Sequence, residues 1–170
     1  TVDFQTNIGV QRVTLETPEI QAQIKVTAPP ESRALMSGAE IALNEVTVGG
    51  AARAQVRIQS IGLVSVDVNS VCLLNSEGQC ASGDRVGSFQ LCDGSSETLS
   101  GCEFLPEVGT LLTGATETIS VFYAPRAPRV EPERVNLLIR NNSIESPDFA
   151  LSFVGQPCVR DELTPICGGC

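Results

Sequence analysis

The residues best suited to chemistry in this sequence are its seven cysteines. Cys167-Gly168-Gly169-Cys170 has the spacing of a redox pair or of half a zinc site, and Cys158 precedes it. A redox pair of this kind normally opens a helix after a strand, and a zinc ion needs a fourth ligand. We therefore interpret this group as structural, with Cys158 bonded to Cys167 or Cys170. Because seven is odd, at least one thiol is free, joins another chain or pairs beyond the given sequence.

The other four cysteines, Cys72, Cys80, Cys92 and Cys102, lie in or beside a segment rich in serine and glycine. Four cysteines can form two disulfides in three different pairings, and spacing does not select one. Each bridge would close a short loop and stabilise the fold by roughly 3 kcal/mol in the chain-entropy model. Such cysteine usage is typical of an oxidising compartment, so we expect a processed extracellular or cell-surface protein.

The composition excludes several classes of function. The chain has no histidine, which removes the commonest general base and any Ser-His or Cys-His nucleophile pair. Its net charge of -9 disfavours nucleic acid as a partner. The sequence lacks a run of 18 apolar residues, so we expect no membrane insertion. We predict a protein that is not an enzyme, uses no cofactor and has no metal site or small-molecule ligand.

Acidic residues cluster in the same cysteine-rich segment, and carboxylates are the ligands that calcium prefers. They do not follow the Asp-x-Asp-x-Asp-Gly ladder, so we interpret them as a solvated acidic loop and keep calcium as the alternative. The residues concerned are Asp84, Asp93, Glu97 and Glu103.

Alternation of apolar and polar residues predicts strands throughout the chain. It is clearest from Ala52 to Ile58, where every second residue is apolar. A phase slip between Leu43 and Val46 is the pattern that a β-bulge produces. The apolar positions of the remaining predicted strands are Ile20, Ala22, Ile24 and Val26; Ile41, Leu43, Val46 and Val48; Val64, Val66 and Val68; Ile119, Val121 and Tyr123; Val135, Leu137 and Ile139; and Phe149, Leu151 and Phe153.

Seven or more short strands with one apolar face each predict an all-β fold, an immunoglobulin-like antiparallel β-sandwich. We assign the sandwich to residues 19–157, with a disulfide-stapled insertion at 72–102. Residues 1–18 form an N-terminal extension, and residues 158–170 form a cysteine-containing tail. The chain has no tryptophan, so it departs from the antibody-type domain.

Two groups of residues, one polar and one apolar, fall on the outer faces of these predicted strands. Arg53 and Arg57 share a strand face with Gln55 and Gln59, a stripe that either faces water or binds an acidic partner. Phe122 and Leu138 are out of phase with the inward positions of their strands. We expect the cysteine-rich loop to cover these two residues, with a neighbouring subunit as the alternative cover.

The N-terminal extension also alternates like a strand, although it precedes a complete sandwich. An apolar strand exposed in water is an aggregation hazard, so it must pair within its own chain or with the edge of a neighbour. We interpret it as a possible donor strand for assembly. Its apolar positions are Val2, Phe4, Ile8, Val10, Val13 and Leu15.

Three motifs resemble the Hydin-like and choice-of-anchor D type immunoglobulin-like surface domains. They are Val46-Thr47-Val48-Gly49, then Val121-Phe122-Tyr123-Ala124-Pro125, and finally Asn141-Asn142 leading to Leu151-Ser152-Phe153-Val154-Gly155 with its closing glycine. The cysteine-rich insertion and Ser60-Ile61-Gly62 depart from that family's usual pattern. The resemblance implies a non-catalytic module used for anchoring, spacing or assembly, and it implies no catalytic residues.

We therefore predict a non-enzymatic extracellular structural subunit or surface module that assembles by strand addition into a fibre or a multi-domain stalk. Its expected partners are copies of itself or neighbouring surface domains. The alternative is an adhesion module that binds carbohydrate or protein through the loop at 75–102. An aromatic content of 4% argues against stacking on sugars. Asn141-Asn142-Ser143 meets the glycosylation sequon, and its use is left open.

Overall fold

The structure is a computed structural model that describes residues 2–6, 9–13, 21–103, 108–127, 129, 131–160 and 165–166, and these residues are mostly in strands. One short 3-10 turn spans Leu99–Gly101. In chain order the strands are β1 (Val2–Thr6), β2 (Gly9–Val13), β3 (Ile24–Thr27), β4 (Ala39–Thr47), β5 (Ala52–Ser60), β6 (Val66–Leu74), β7 (Arg85–Val86), β8 (Phe89–Asp93), β9 (Thr110–Leu111), β10 (Thr116–Tyr123), β11 (Glu133–Asn141), β12 (Asp148–Arg160) and β13 (Pro165–Ile166).

Two sheets pack face to face as a sandwich. The five-stranded sheet has the order β3-β5-β10-β8-β7, and the six-stranded sheet has the order β13-β12-β11-β6-β9, with β4 also paired to β12. The described pairings are antiparallel except for β4 on β12, which is parallel. An immunoglobulin-like sandwich, as predicted, is therefore the fold, with one parallel strand added at the edge of the six-stranded sheet.

The core lies between the two sheets and contains the inward residues that alternation predicts. Val56, Ile58 and Ile119 of the five-stranded sheet and Leu137 of the six-stranded sheet are inaccessible to solvent. Ala52 and Ala54 are only half-buried and pack against the edge of this core. The other buried residues named by the same pattern are Val121, Ile139, Leu151 and Phe153.

The predicted bulge in β4 is confirmed. Leu43 pairs with Gly155 and Val46 pairs with Pro157, so two residues of β4 lie opposite one residue of β12. The extra residue restores the phase of the strand, because both Leu43 and Val46 are buried. Val48, expected in the same strand, instead lies in the turn that follows Thr47 and is exposed.

The segment 75–102 differs from the expected insertion. It contains β7 and β8, and β8 pairs with β10 along its length, so this part of the chain contributes a strand to the sandwich. Sequence alternation is weak in β8 because the strand has only five residues: Phe89 and Leu91 are buried in the core around the polar Gln90, but Cys92 is buried on the outer face. Burial of an outer residue weakens the contrast between the two faces on which the pattern depends.

Gly155 and Tyr123, the only tyrosine in the sequence, pack against each other between the two sheets. Gly155 lies on β12 directly against the Tyr123 ring, where an added Cβ would come within 2.5 Å of three ring carbons. The ring is fully buried and packs on Phe89 with 4.9 Å between ring centroids. Two of the motifs quoted above therefore meet in the core, and only glycine leaves room for the aromatic ring at this point.

The turn between β11 and β12 is built around Asn141. Its side chain is buried, and its Nδ2 donates to the carbonyl oxygen of Ser146 at 2.8 Å and to that of Pro147 at 3.4 Å. Its Oδ1 accepts from the backbone N–H of Ser143 at 2.8 Å. The sequon asparagine is thus a structural residue, because its side chain is buried and a glycan on Nδ2 would replace one of the two N–H donors that hold the turn.

Candidate functional site

The cysteine and acidic side chains described outside the sandwich core mainly hold loops in place. No cluster of three or more histidine, cysteine, aspartate or glutamate residues able to hold a metal occurs among the residues that the structure describes. In the acidic segment, hydrogen bonds from the side chain of Ser95 and from its backbone N–H, the latter at 2.7 Å, lower the pKa of the Asp93 carboxyl group. Partial burial raises the pKa of Asp84. The structure does not gather the four acidic residues into a cation site.

One disulfide covers the outer face of the six-stranded sheet. Cys72 of β6 is bonded to Cys80, and the turn between them is closed by a hydrogen bond from the N–H of Asn75 to the carbonyl of Gln79. Cys72 is also the register partner of Leu138, which is one of the two outward apolar residues. Leu138 is 8% exposed, so the predicted cover over this residue is present.

The second disulfide covers the outer face of the five-stranded sheet. Cys92 of β8 is bonded to Cys102, which anchors the loop 94–103 across this face. Phe122, the other outward apolar residue, is buried there. Gln90, the register partner of Phe122, donates through its Nε2 to the Sγ of Cys102 at 3.1 Å. The two bridges are one of the three pairings that the sequence leaves open.

Polar side chains hold this loop against the sheet. The guanidinium of Arg53 lies 6.0 Å from the centre of the Phe122 ring and donates to the carbonyl of Gly94 at 2.7 Å. Gln55 donates to the same carbonyl at 3.1 Å. An added Cβ at Gly94 would lie 2.3 Å from the carbonyl oxygen of Thr118. The loop therefore covers part of the predicted polar stripe, in which Arg53 and Gln55 are half-buried.

The rest of the stripe faces a groove of about 570 Å³ on the same sheet. Arg57 is exposed and pairs in register with Thr27, while Lys25 pairs with Gln59, so the two basic residues lie on one outer face. Glu31 also lines this groove, which offsets part of the positive charge. The groove is a polar surface of the sandwich.

Of the three C-terminal cysteines, Cys158 is the one within the described residues. Cys158 is buried and disulfide-bonded, and its partner lies outside the described residues. Cys167 and Cys170 also lie outside the described residues. The choice between them as the partner of Cys158 remains a prediction.

The N-terminal extension forms a hairpin. Strand β1 pairs with β2 in a two-stranded antiparallel sheet, with Val2 opposite Val13 and Phe4 opposite Gln11. Our expected single strand is thus two strands that pair with each other, because alternation alone does not show where a chain turns. The register places Val10 opposite Gln5, on the other face of the hairpin from Val2. Ile8 and Leu15 lie outside the described residues.

Exposed apolar residues gather at one end of the sandwich, which we call the proximal end and define by residues 36–38, 61–65, 112–115 and 142–147. These segments precede or follow strands that begin or finish together: the Ser60 N–H donates to Ala115, and the Asn142 N–H donates to the carbonyl of Asp67. Six of the seven exposed large hydrophobic residues in the described chain lie here. They are Met36, Ile61, Leu63, Val64, Leu112 and Ile144.

Sequence reasoning missed this surface. Apart from Val64, which we expected to face inward as part of a strand, its residues carry no alternation because they lie in turns and connecting segments. Met36 and Ile144 are far apart along the chain, and only the parallel start of β4 beside β12 brings them to one end. The available signal was the low charge of these turns, which contain a single charged residue, Glu145.

The described chain enters the sandwich at the proximal end, and β12 ends at the other end, where β13 pairs with its last two residues. The carbonyl of Gln23 accepts from the Ile61 N–H at 3.0 Å, which places the segment before β3 beside the proximal turns. Strand β12 runs the length of the six-stranded sheet and pairs with the end of β4 through Cys158 and Thr47. We call this second end, formed by residues 48–51 and 124–127, the distal end.

Comparisons with known proteins support the fold. No protein-family model matches this sequence, and no curated protein sequence matches it. The structure is similar to the ASH / PapD-like domain 7 of human CEP192, with a TM-score of 0.50 and 11% sequence identity over 89% of this chain and 96% of that chain. This similarity shows a PapD-like, immunoglobulin-like fold.

Two other solved structures are similar at lower TM-scores. A protein of unknown function from Porphyromonas gingivalis W83 has a TM-score of 0.46 at 10% identity, covering 82% of this chain and 68% of that chain. The secreted serine protease VesC from Vibrio cholerae has a TM-score of 0.45 at 8% identity, covering 84% of this chain and 24% of that chain. This chain therefore spans about a quarter of the length of VesC.

Two structural features bear on the compartment. The two described disulfides fit an oxidising environment of the kind found outside the cell. Within the described residues, no helix is both long and apolar enough to cross a membrane.

Proposed function

We propose that this protein is a non-enzymatic extracellular structural module that joins to copies of itself or to neighbouring domains, end to end, through its N-terminal hairpin. The observation that carries the proposal is the path of the described chain: it enters the sandwich at the proximal end, beside Ile61, and its last long strand, β12, ends at the distal end. A module joined at opposite ends extends a fibre or stalk by one domain length with each copy.

The hairpin supplies the element that does the joining. A two-stranded hairpin alone is marginally stable in water, and each of its strands leaves one edge of backbone donors and acceptors unpaired within the hairpin. Addition of this edge to an exposed strand of another copy satisfies both its backbone and its apolar positions. Strand β4 offers a matching edge, since its nine residues pair with β12 on one side only among the described strands.

The three motifs that resemble Hydin-like and choice-of-anchor D type domains support the same use, because that resemblance implies anchoring, spacing or assembly. The disulfides support an extracellular site of action. The alternative of adhesion through the loop at 75–102 is less favoured, since Arg53 and the Cys92–Cys102 bridge hold part of that loop against the sheet. Because this part of the loop is held against the sheet, its residues have little freedom to adapt to a partner.

The test compares association of the full chain with that of a variant lacking residues 1–15, by light scattering over a range of concentrations. We expect the full chain to associate and the shortened chain to remain monomeric. Phe4→Thr should weaken association, whereas Gln11→Thr, at the position opposite Phe4 in register, should not. A full chain that stays monomeric, or a shortened chain that associates equally well, would refute the proposal.

A further inference from the structure

We infer that the proximal end is a docking surface for the distal end of a second copy of this chain. The inference rests on the end-to-end use proposed above and names the surfaces that meet. Met36 is 81% exposed and Leu63 is 71% exposed, values that are high for large apolar side chains in a folded domain. Exposed apolar residues gathered at one place on a protein mark an interaction site.

The turns of the proximal end suit a partner surface that is mainly apolar. Residues 61–65 and 112–115 contain no charged residue, and residues 142–147 contain only Glu145. Two further exposed acids lie beside these turns, Asp67 near the start of β6 and Asp148 at the start of β12, and Asp148 pairs with Arg140 at 3.5 Å. The surface is thus an apolar centre with a weakly acidic edge, which is the usual arrangement of an interface core and its rim.

The distal end carries a complementary groove of about 610 Å³. Its walls include Val48, which is the seventh exposed large hydrophobic residue of the described chain, together with Leu99 and Pro125. Among the described residues that line it, the charged ones are Arg85 and Arg126 and none is acidic. An apolar groove with two arginines complements an apolar surface edged by Glu145 and Asp67, and such charge matching favours this pairing over proximal against proximal.

The geometry of the chain makes this contact heterologous. The two surfaces lie at opposite ends of one sandwich, so each docked pair leaves one unused surface of each kind, and the contact repeats along a line. Addition of a hairpin strand to another copy is also a heterologous contact, so the two contacts can act together in one linear assembly.

The test uses two full-length variants, each of which disables one surface. Leu63→Asp places a charge in the proximal surface, and Val48→Asp places one in the distal groove; both side chains are exposed, so circular dichroism and the melting temperature should remain close to those of the unchanged protein. Asn136→Asp, an exposed position on β11 between the two ends, adds the same charge as a control. Sedimentation velocity measures the association of each protein.

We expect the unchanged protein and Asn136→Asp to form concentration-dependent oligomers, and each surface variant alone to associate at least tenfold more weakly. A mixture of Leu63→Asp and Val48→Asp should form a one-to-one dimer that does not grow, because each variant retains the surface that the other has lost. Association of Val48→Asp alone would show proximal ends meeting each other, and unchanged association of Leu63→Asp would show that the apolar end is not involved. Either result overturns the inference, as does an unchanged protein that is monomeric.

These outcomes are separable from those of the proposed function. If removal of residues 1–15 abolishes association while Leu63→Asp does not, the hairpin joins copies without docking of the ends. If Leu63→Asp abolishes association while removal of the hairpin does not, the ends dock and the hairpin has another use.

Discussion

Replacing Gly155 with alanine should destabilise the sandwich by an amount that the structure allows us to work out. The added methyl group would lie 2.5 Å from three carbons of the Tyr123 ring, about 1 Å closer than ordinary van der Waals contact. The ring cannot retreat, because it is fully buried and packs against Phe89. Overpacking of this kind costs about 3 kcal/mol, and reduced freedom of the unfolded chain returns about 1 kcal/mol, so we expect a net loss of about 2 kcal/mol.

Urea unfolding followed by far-ultraviolet circular dichroism measures this loss, and a fall of about 4 to 8 °C in melting temperature should accompany it. Gly109→Ala is the matched control, because an added Cβ there meets no atom within 4 Å. In a Tyr123→Ala background the methyl group would enter the space left by the ring, so Gly155→Ala should become neutral or stabilising. Equal costs for Gly155→Ala with and without the Tyr123 ring would contradict the proposed clash.

Three further outcomes are expected from the same structure. Burial, followed by the negative charge of Glu133, raises the pKa of Tyr123 to about 12. Tyr123 ionises near pH 10 in the unfolded chain but not in the folded chain, so the free energy of unfolding should fall by about 2 to 3 kcal/mol between pH 10 and 12. Tyr123→Phe should abolish this fall, as measured by urea unfolding at each pH. Asn141→Asp should cost about 3 kcal/mol in a thermal melt, because the carboxylate cannot donate to the carbonyls that Nδ2 now satisfies; an unchanged melting temperature would contradict the role of this side chain. Replacing Cys92 and Cys102 together with alanine should cost about 3 kcal/mol and expose Phe122 to a hydrophobic dye, and a variant that binds no dye would show that the loop stays in place without its bridge.

The strands of the core could be predicted because one face of each is buried and the other is polar. That condition produced the alternation at Val56 and Ile58 and the phase slip between Leu43 and Val46. It is weak in β8, where only Phe89 and Leu91 alternate with Gln90, and Cys92 is buried on the outer face. Alternation reports the difference between two faces, so it weakens in a short strand whose outer face is partly covered.

The candidate site was harder to predict for a different physical reason. Leu63, Leu112 and Ile144 belong to three separate turns, and nothing in their local sequence shows that these turns share one end of the fold. That information lies in the strand registers, which sequence patterns leave open. The cysteine pairing was undetermined for the same reason, since the register of β6 and the return of the chain to Cys80 decide which thiols meet.

The positions of the two disulfides bear on how the module can be used. Each outer sheet face carries a large apolar residue that is buried, Phe122 or Leu138, and a disulfide lies next to each of them. As a result, every exposed large hydrophobic residue in the described part of the chain lies at an end of the sandwich, with Val48 at the distal end and the rest at the proximal end. Sides with their apolar residues covered resist lateral aggregation, whereas uncovered ends permit contact along one axis only. Reduction of either disulfide should therefore favour lateral aggregation over end-to-end growth. Electron microscopy of the reduced and oxidised protein can distinguish these two outcomes.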